Sequence, residues 1–108
     1  MTILEGYIAQ WNNYPQDEVK IRVARPSILA PSKKLLKDYK ENDLSWIEYT
    51  TRYVAEIMAN PRALKQIDDI IVLSKTNTVR LICYEKNPPC HRFILMDMIS
   101  DIMEESEE

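Results

Sequence analysis

Residues 83–92, Cys83-Tyr84-Glu85-Lys86-Asn87-Pro88-Pro89-Cys90-His91-Arg92, hold both cysteines, the single histidine and an arginine. A thiol beside an imidazole suits a nucleophile with its proton carrier, and a guanidinium suits an anion clamp. Cys90 falls where an apolar, helix-like run begins, so the positive end of a helix macrodipole and its unpaired N–H groups lie near the sulfur. Such placement lowers a thiol pKa from ~8.5 into a range of about 3.5 to 7.5. The same helix end attracts an anionic ligand such as phosphate. The expected chemistry is attack by Cys90 on a phosphorylated, acyl or sulfur-containing substrate, with His91 moving the proton and Arg92 holding the anion. Adjacent helical residues point about 100° apart, so the three cannot all face one substrate atom. At least one is expected to be structural, with His91 bonding nearby backbone or Arg92 pairing with Glu85 or Asp97. Cys83, near the end of a buried strand, reads more readily as a small core hydrophobe than as a ligand.

Other chemistries are less well supported by spacing. Cys83, Cys90 and His91 offer three soft donors, but zinc sites usually show tighter pairs such as Cys-x-x-Cys, so no metal is expected. Whether Cys83 and Cys90 can bridge is a question of geometry. A single glycine excludes the glycine-rich phosphate loops that cradle nucleotides, and no cofactor is implied. Lys33, Lys34, Lys37 and Lys40, followed by Trp46, Tyr49 and Tyr53, suit contact with single-stranded nucleic acid or a nucleotide without catalysis. Against that, such lysines usually form a solvated helix face, and a pI near 5.2 does not mark a dedicated nucleic-acid binder.

The elements that must position these groups can be read along the chain. Ile3 to Trp11 is apolar enough for a strand, closed by Asn12-Asn13-Tyr14-Pro15. Val19-Lys20-Ile21-Arg22-Val23-Ala24 alternates with period two and predicts a second strand, ended by Arg25-Pro26. Ser32 caps a short basic helix with Leu35, Leu36 and Tyr39 on its apolar face. Ser45-Trp46-Ile47-Glu48 is a capping box, with Trp46, Tyr49, Tyr53, Val54, Ile57 and Met58 at helical spacing behind it. Asn60-Pro61 opens a third helix, Val79 to Tyr84 reads as a buried strand, and Cys90 to about Glu104 as the last helix. Long helical connections favour parallel pairing, so the expected fold is α/β: a small, mainly parallel sheet with helices packed on it. Parallel strands ending at Arg25 and Cys83 share one edge, where ligands bind in open α/β sheets. Arg25, Cys83, Glu85, Cys90, His91 and Arg92 are expected to converge there. The nucleophile reading requires the Cys90 sulfur to reach a pocket at that edge.

The chain has 108 residues with 45% apolar and 29% charged, ordinary for one globular domain. The net charge of −3 comes from the end of the chain, where residues 101–108 carry Asp101, Glu104, Glu105, Glu107 and Glu108 and no base. The expected division is a domain over 1–103 and a frayed acidic tail over 104–108, since acids oppose the macrodipole at a helix C-terminus. No stretch approaches the ~20 apolar residues of a membrane span, and no signal peptide is read at the start. A cytoplasmic protein with free thiols is expected. Composition leaves the oligomeric state open.

Cys83-Tyr84-Glu85-Lys86 followed, after a short proline-containing gap, by Cys90-His91-Arg92 at a helix start resembles domain-of-unknown-function family 488. Arg25-Pro26-Ser27 is similar to that family's strand-end arginine, and Ala30-Pro31-Ser32 with Trp46 and Tyr53 resembles a subset of it. The resemblance runs from about Tyr7 to Ile99. It implies a fold and a site but little function. The residue chemistry itself gives the expected roles: Cys90 and His91 as the catalytic pair, Arg25 and Arg92 binding an anion with Glu85 as orienting partner, and Cys83, Ser27 and Tyr53 in support. Members usually carry an acidic residue just before the arginine, where this chain has Val23-Ala24, so a paired Asp–Arg device is not carried over.

Overall fold

The computed structural model describes residues 2–24, 27–84 and 90–106. Three strands, β1 (Thr2–Tyr7), β2 (Val19–Arg22) and β3 (Thr78–Cys83), form one sheet in the order β1-β3-β2. Both pairings are parallel, with Tyr7 opposite Cys83 and Arg22 opposite Ile82, so all three strands end at the same edge. The helices are α1 (Lys33–Glu41), α2 (Trp46–Met58), α3 (Pro61–Ser74) and α4 (His91–Ser106). α3 and α4 pack on β3, α4 also on β1, α2 lies across α3 and α4, and α1 rests on α2. The expected α/β architecture is the one formed.

Local chemistry explains the helix boundaries. The Ser32 hydroxyl accepts from the Leu35 amide at 3.1 Å, giving α1 its N-cap. At α2 the Ser45 hydroxyl accepts from the Glu48 amide while the Glu48 carboxylate accepts from the Ser45 amide, the full capping box. Asn60 caps α3, with Pro61 spending no amide that the first turn could use. Several boundaries differ from expectation: β2 ends at Arg22 and not at Ala24, and β3 runs Thr78–Cys83 and not Val79 to Tyr84. The first strand stops at Tyr7, and Ile8–Asn13, including Trp11, winds into a 3-10 segment instead of extending the sheet. The last helix begins at His91, so Cys90 lies immediately before it. Met58, assigned by spacing to the inner face of α2, is exposed at the helix's end.

The two faces of β3 do different work. Val79, Leu81 and Cys83 share one face and join a core with Leu29, Tyr53, Ile67 and Leu95. Arg80 stands on the other face and makes two parallel bonds to the Glu18 carboxylate, at 2.7 and 2.8 Å. Its third nitrogen donates to the Glu5 carbonyl at 2.7 Å, and its carbon lies 4.1 Å from the centre of the Tyr14 ring. Tyr14 also crosses the chain's only glycine so closely that a Cβ at Gly6 would meet its ring at 2.7 Å. No helix among the described residues is long and apolar enough to cross a membrane.

Candidate functional site

The common carboxyl edge of the strands carries a cavity of about 250 Å³. Its deep end is made by Ala24 after β2, Cys83 at the end of β3, and Cys90 and His91 at the start of α4. Its side wall is Tyr39 from α1 with Trp46 and Tyr49 from α2, and Lys40 and Tyr84 stand toward the exposed rim. The wall is ordered by ring contacts: Trp46 stacks on Tyr49 at 5.0 Å and 13°, and Tyr39 meets Tyr49 at 4.8 Å. Stacking continues inward from Tyr49 to Tyr53, whose ring lies 5.6 Å from the His91 imidazole.

His91 Nε2 lies 2.8 Å from the Val23 carbonyl oxygen. A carbonyl can only accept, so Nε2 carries the proton, and in the neutral ring Nδ1 presents its lone pair. That lone pair faces two sulfurs: Cys90 Sγ at 3.8 Å and Cys83 Sγ at 3.9 Å. Val23 is itself held, because its amide donates to the Ile82 carbonyl at 2.8 Å. Thiol, imidazole and a third group that orients the imidazole form the arrangement that activates a nucleophile. Neither cysteine is in a disulfide, each is only 2% exposed, and both line the cavity. The three donor atoms lie within 4.8 Å of one another, the one cluster of metal-binding type among the described residues.

The remaining residues named from sequence divide clearly. Arg92 is fully buried, does not line the cavity, and donates from Nε to the Glu5 carboxylate of β1 at 2.9 Å. Among the described residues that partner is Glu5 and not Asp97: the rotation per residue that brings His91 to the thiols turns Arg92 toward the first strand. Tyr53 is buried behind His91 and donates to the Leu29 carbonyl at 2.6 Å, bracing the loop after β2. Burial, with Tyr49 and the two thiols nearby, pushes the Tyr53 phenol well above its usual range, so it stays protonated. The Ser27 hydroxyl accepts from the Leu29 amide at 3.0 Å and shapes the same loop, outside the cavity. Arg25 and Glu85 lie outside the described residues. Among the described residues that line the cavity, Lys40 is the cation at its rim.

Sequence reasoning did not find the Val23 carbonyl, which is a backbone atom 68 positions from His91 and carries no side-chain signal. It also missed Glu5 as the partner of Arg92. Tyr39, Trp46 and Tyr49 were legible as a helical stripe, but only their packing shows that they wall a cavity. Residues 12–103 match the family model DUF488-N3a, described as the active DUF488-N3 subclade. No match was found among curated proteins or among solved structures.

Proposed function

The chain belongs to the DUF488 family, and from that premise we propose that it is a thiol-dependent enzyme acting on a small, planar, anionic substrate. The observation that carries the reading is the His91 imidazole, oriented by Val23 and directed at two thiols on a cavity. Cys90 is the proposed nucleophile because it also lies directly before the first turn of α4, near unpaired backbone N–H groups. Its S–H proton passes to His91 Nδ1 as the sulfur bonds to an electrophilic phosphorus, carbon or sulfur atom. The bond from that atom to the leaving group breaks, and His91 returns the proton to the departing group. Nε2–H keeps its bond to Val23 throughout. Cys83 supports the pair as a second neighbour of the same imidazole. The description of the subclade as active accords with this reading.

Cavity size and lining limit the substrate. A volume of about 250 Å³ lies below the ~300–1,000 Å³ usual for larger ligands, so one ring system with a small substituent fits. The aromatic wall suits a flat heteroaromatic ring, and Lys40 suits an anionic group at the rim, which together favour a nucleotide-like or phosphorylated compound. Arg92 is assigned no substrate contact, and an anion-binding role for Arg25 with Glu85 is retained as part of the proposal. Both thiols must stay reduced, which fits the cytoplasm.

The test is the alkylation rate of metal-free protein by iodoacetamide at neutral pH, with the modified cysteine located by mass spectrometry. Cys90 is expected to react before Cys83 and faster than free cysteine. His91→Asn is expected to slow it by roughly a hundredfold, the lower range for loss of a positioned base. Equal rates for native protein and variant would overturn the reading. The second reading, nucleotide binding without chemistry, uses the same wall and Lys40. It predicts that Cys90→Ser leaves both nucleotide affinity and every measurable turnover unchanged.

A further inference from the structure

We propose that Cys83 Sγ, Cys90 Sγ and His91 Nδ1 form a three-donor site for a thiophilic divalent cation, Zn²⁺ by preference, with its fourth position open to the cavity. The inference goes beyond the thiol-enzyme reading: a bound cation would occupy the lone pairs that reading uses, so the occupied site is a silenced state of the same thiols.

The geometry is close to what the ion needs. Zn–S bonds of ~2.3 Å and Zn–N bonds of ~2.0–2.1 Å in a tetrahedron separate sulfur from nitrogen by about 3.5 Å and sulfur from sulfur by about 3.8 Å. The observed sulfur–nitrogen separations are 3.8 and 3.9 Å, and no pair of the three donors exceeds 4.8 Å. Closing these gaps takes small rotations of two cysteine side chains about Cα–Cβ. The histidine is already set as a ligand. Nε2–H is committed to the Val23 carbonyl, and a ligating imidazole usually gives its second N–H to such an acceptor, which fixes the tautomer and the ring plane.

Donor chemistry selects the ion. Two thiolates and an imidazole favour Zn²⁺ over hard cations such as Mg²⁺ or Ca²⁺, which take oxygen. Three protein donors with one open position is the pattern of reactive rather than closed structural zinc sites. Water, or a donor atom of a bound ligand, would fill the remaining position from the cavity. Binding balances as one hydrated Zn²⁺ and two thiols giving two zinc–thiolate bonds and one zinc–imidazole bond. Two protons and the displaced waters pass to solvent.

Spacing argued against this site because Cys83 and Cys90 are seven positions apart, wider than a Cys-x-x-Cys pair. The sheet edge and the helix start bring them together instead.

The test uses the reduced, chelator-stripped full chain. Co²⁺ is expected to bind at one equivalent with thiolate-to-cobalt charge-transfer absorption and the intense visible bands of a tetrahedral ion, and Zn²⁺ is expected to displace it. Zn²⁺ at roughly a hundred times its Kd should slow alkylation of both thiols about a hundredfold, because only empty sites react. This arm needs no variant and therefore no assumption about variant folding. Cys83→Ser, Cys90→Ser and His91→Gln should each lose the tetrahedral spectrum. Cobalt spectra without thiolate charge transfer, or protection of one thiol or neither, would overturn the proposal. The thiol-enzyme reading fails on a different observation, slow alkylation of metal-free protein, so the two can fall separately.

Discussion

His91 owes its position to a carbonyl and to one packed ring. Val23 sets its tautomer, and Tyr53 lies beside it while anchoring the loop that follows β2. Tyr53→Phe removes one hydrogen bond and leaves the Leu29 carbonyl without that donor. It is expected to cost about 0.5–1.5 kcal/mol, measured as a lower urea midpoint at unchanged slope. Arg92 is a buried cation tied to the sheet, not a free clamp. Glu5→Ala removes a charge-assisted bond and is expected to destabilise by about 1.5–3 kcal/mol. The same variant should leave the alkylation rate of Cys90 unchanged, since Glu5 is absent from the cavity. A slowed rate would show that Arg92 steers the thiol pair as well as the fold.

At the level of elements, helix starts and one close strand crossing are where single changes cost most. The Ser45–Glu48 capping box satisfies amides that α2 otherwise leaves open. Ser45→Ala is therefore expected to lower stability by about 1 kcal/mol. Because α2 carries Trp46 and Tyr49, the same change should weaken any ligand held by the aromatic wall, which titration calorimetry can follow. Gly6 serves the opposite face of the sheet. A methyl group there would press on the Tyr14 ring, which also accepts the Arg80 cation and whose hydroxyl accepts the Tyr7 amide. Gly6→Ala is expected to cost about 1–3 kcal/mol, the range for overpacking, seen as a fall in Tm. A neutral result would mean that Tyr14 moves aside freely.

For the whole molecule, acid should expose the charge pairs that hold the surface elements to the core. Bonds from Arg80 hold the Glu18 carboxyl below its ordinary value of 4.5, and bonds from Arg52 and then Asn42 hold Asp38 below 3.8. A depressed carboxyl stabilises the folded state above its unfolded pKa, and that stability is lost as pH falls through the lower folded value. Stability should therefore hold above about pH 4.5 and decline below it, with the midpoint of urea unfolding as the readout. Glu18→Gln is expected to flatten that decline, since the bond to Arg80 then no longer titrates. Asp38 sits on the surface of α1, so its share of the decline should shrink in high salt while that of the mostly buried Glu18 persists.

Local patterns in the chain were enough for the α/β class, the caps at Ser32, Ser45 and Asn60, and the apolar stripes of the helices. Each depends on residues within a turn or two of one another. They also singled out Cys83, Cys90 and His91 as candidates, because a thiol, an imidazole and a helix start lie close in sequence. The 3-10 turn at Ile8–Asn13 escaped them: its apolar residues read as strand, while Tyr14 had to fold back over Gly6. The partners of the site escaped them as well. Val23, Glu5 and the aromatic wall come from the residue after β2, from β1 and from two helices, and sequence spacing says nothing of which way a side chain turns once strands align. Parallel pairing brought the strand ends to one edge, and the first residues of α4 then turned His91 toward both sulfurs and Arg92 away from them. That rotation, and the long-range packing behind it, brought two thiols and an imidazole together on one cavity.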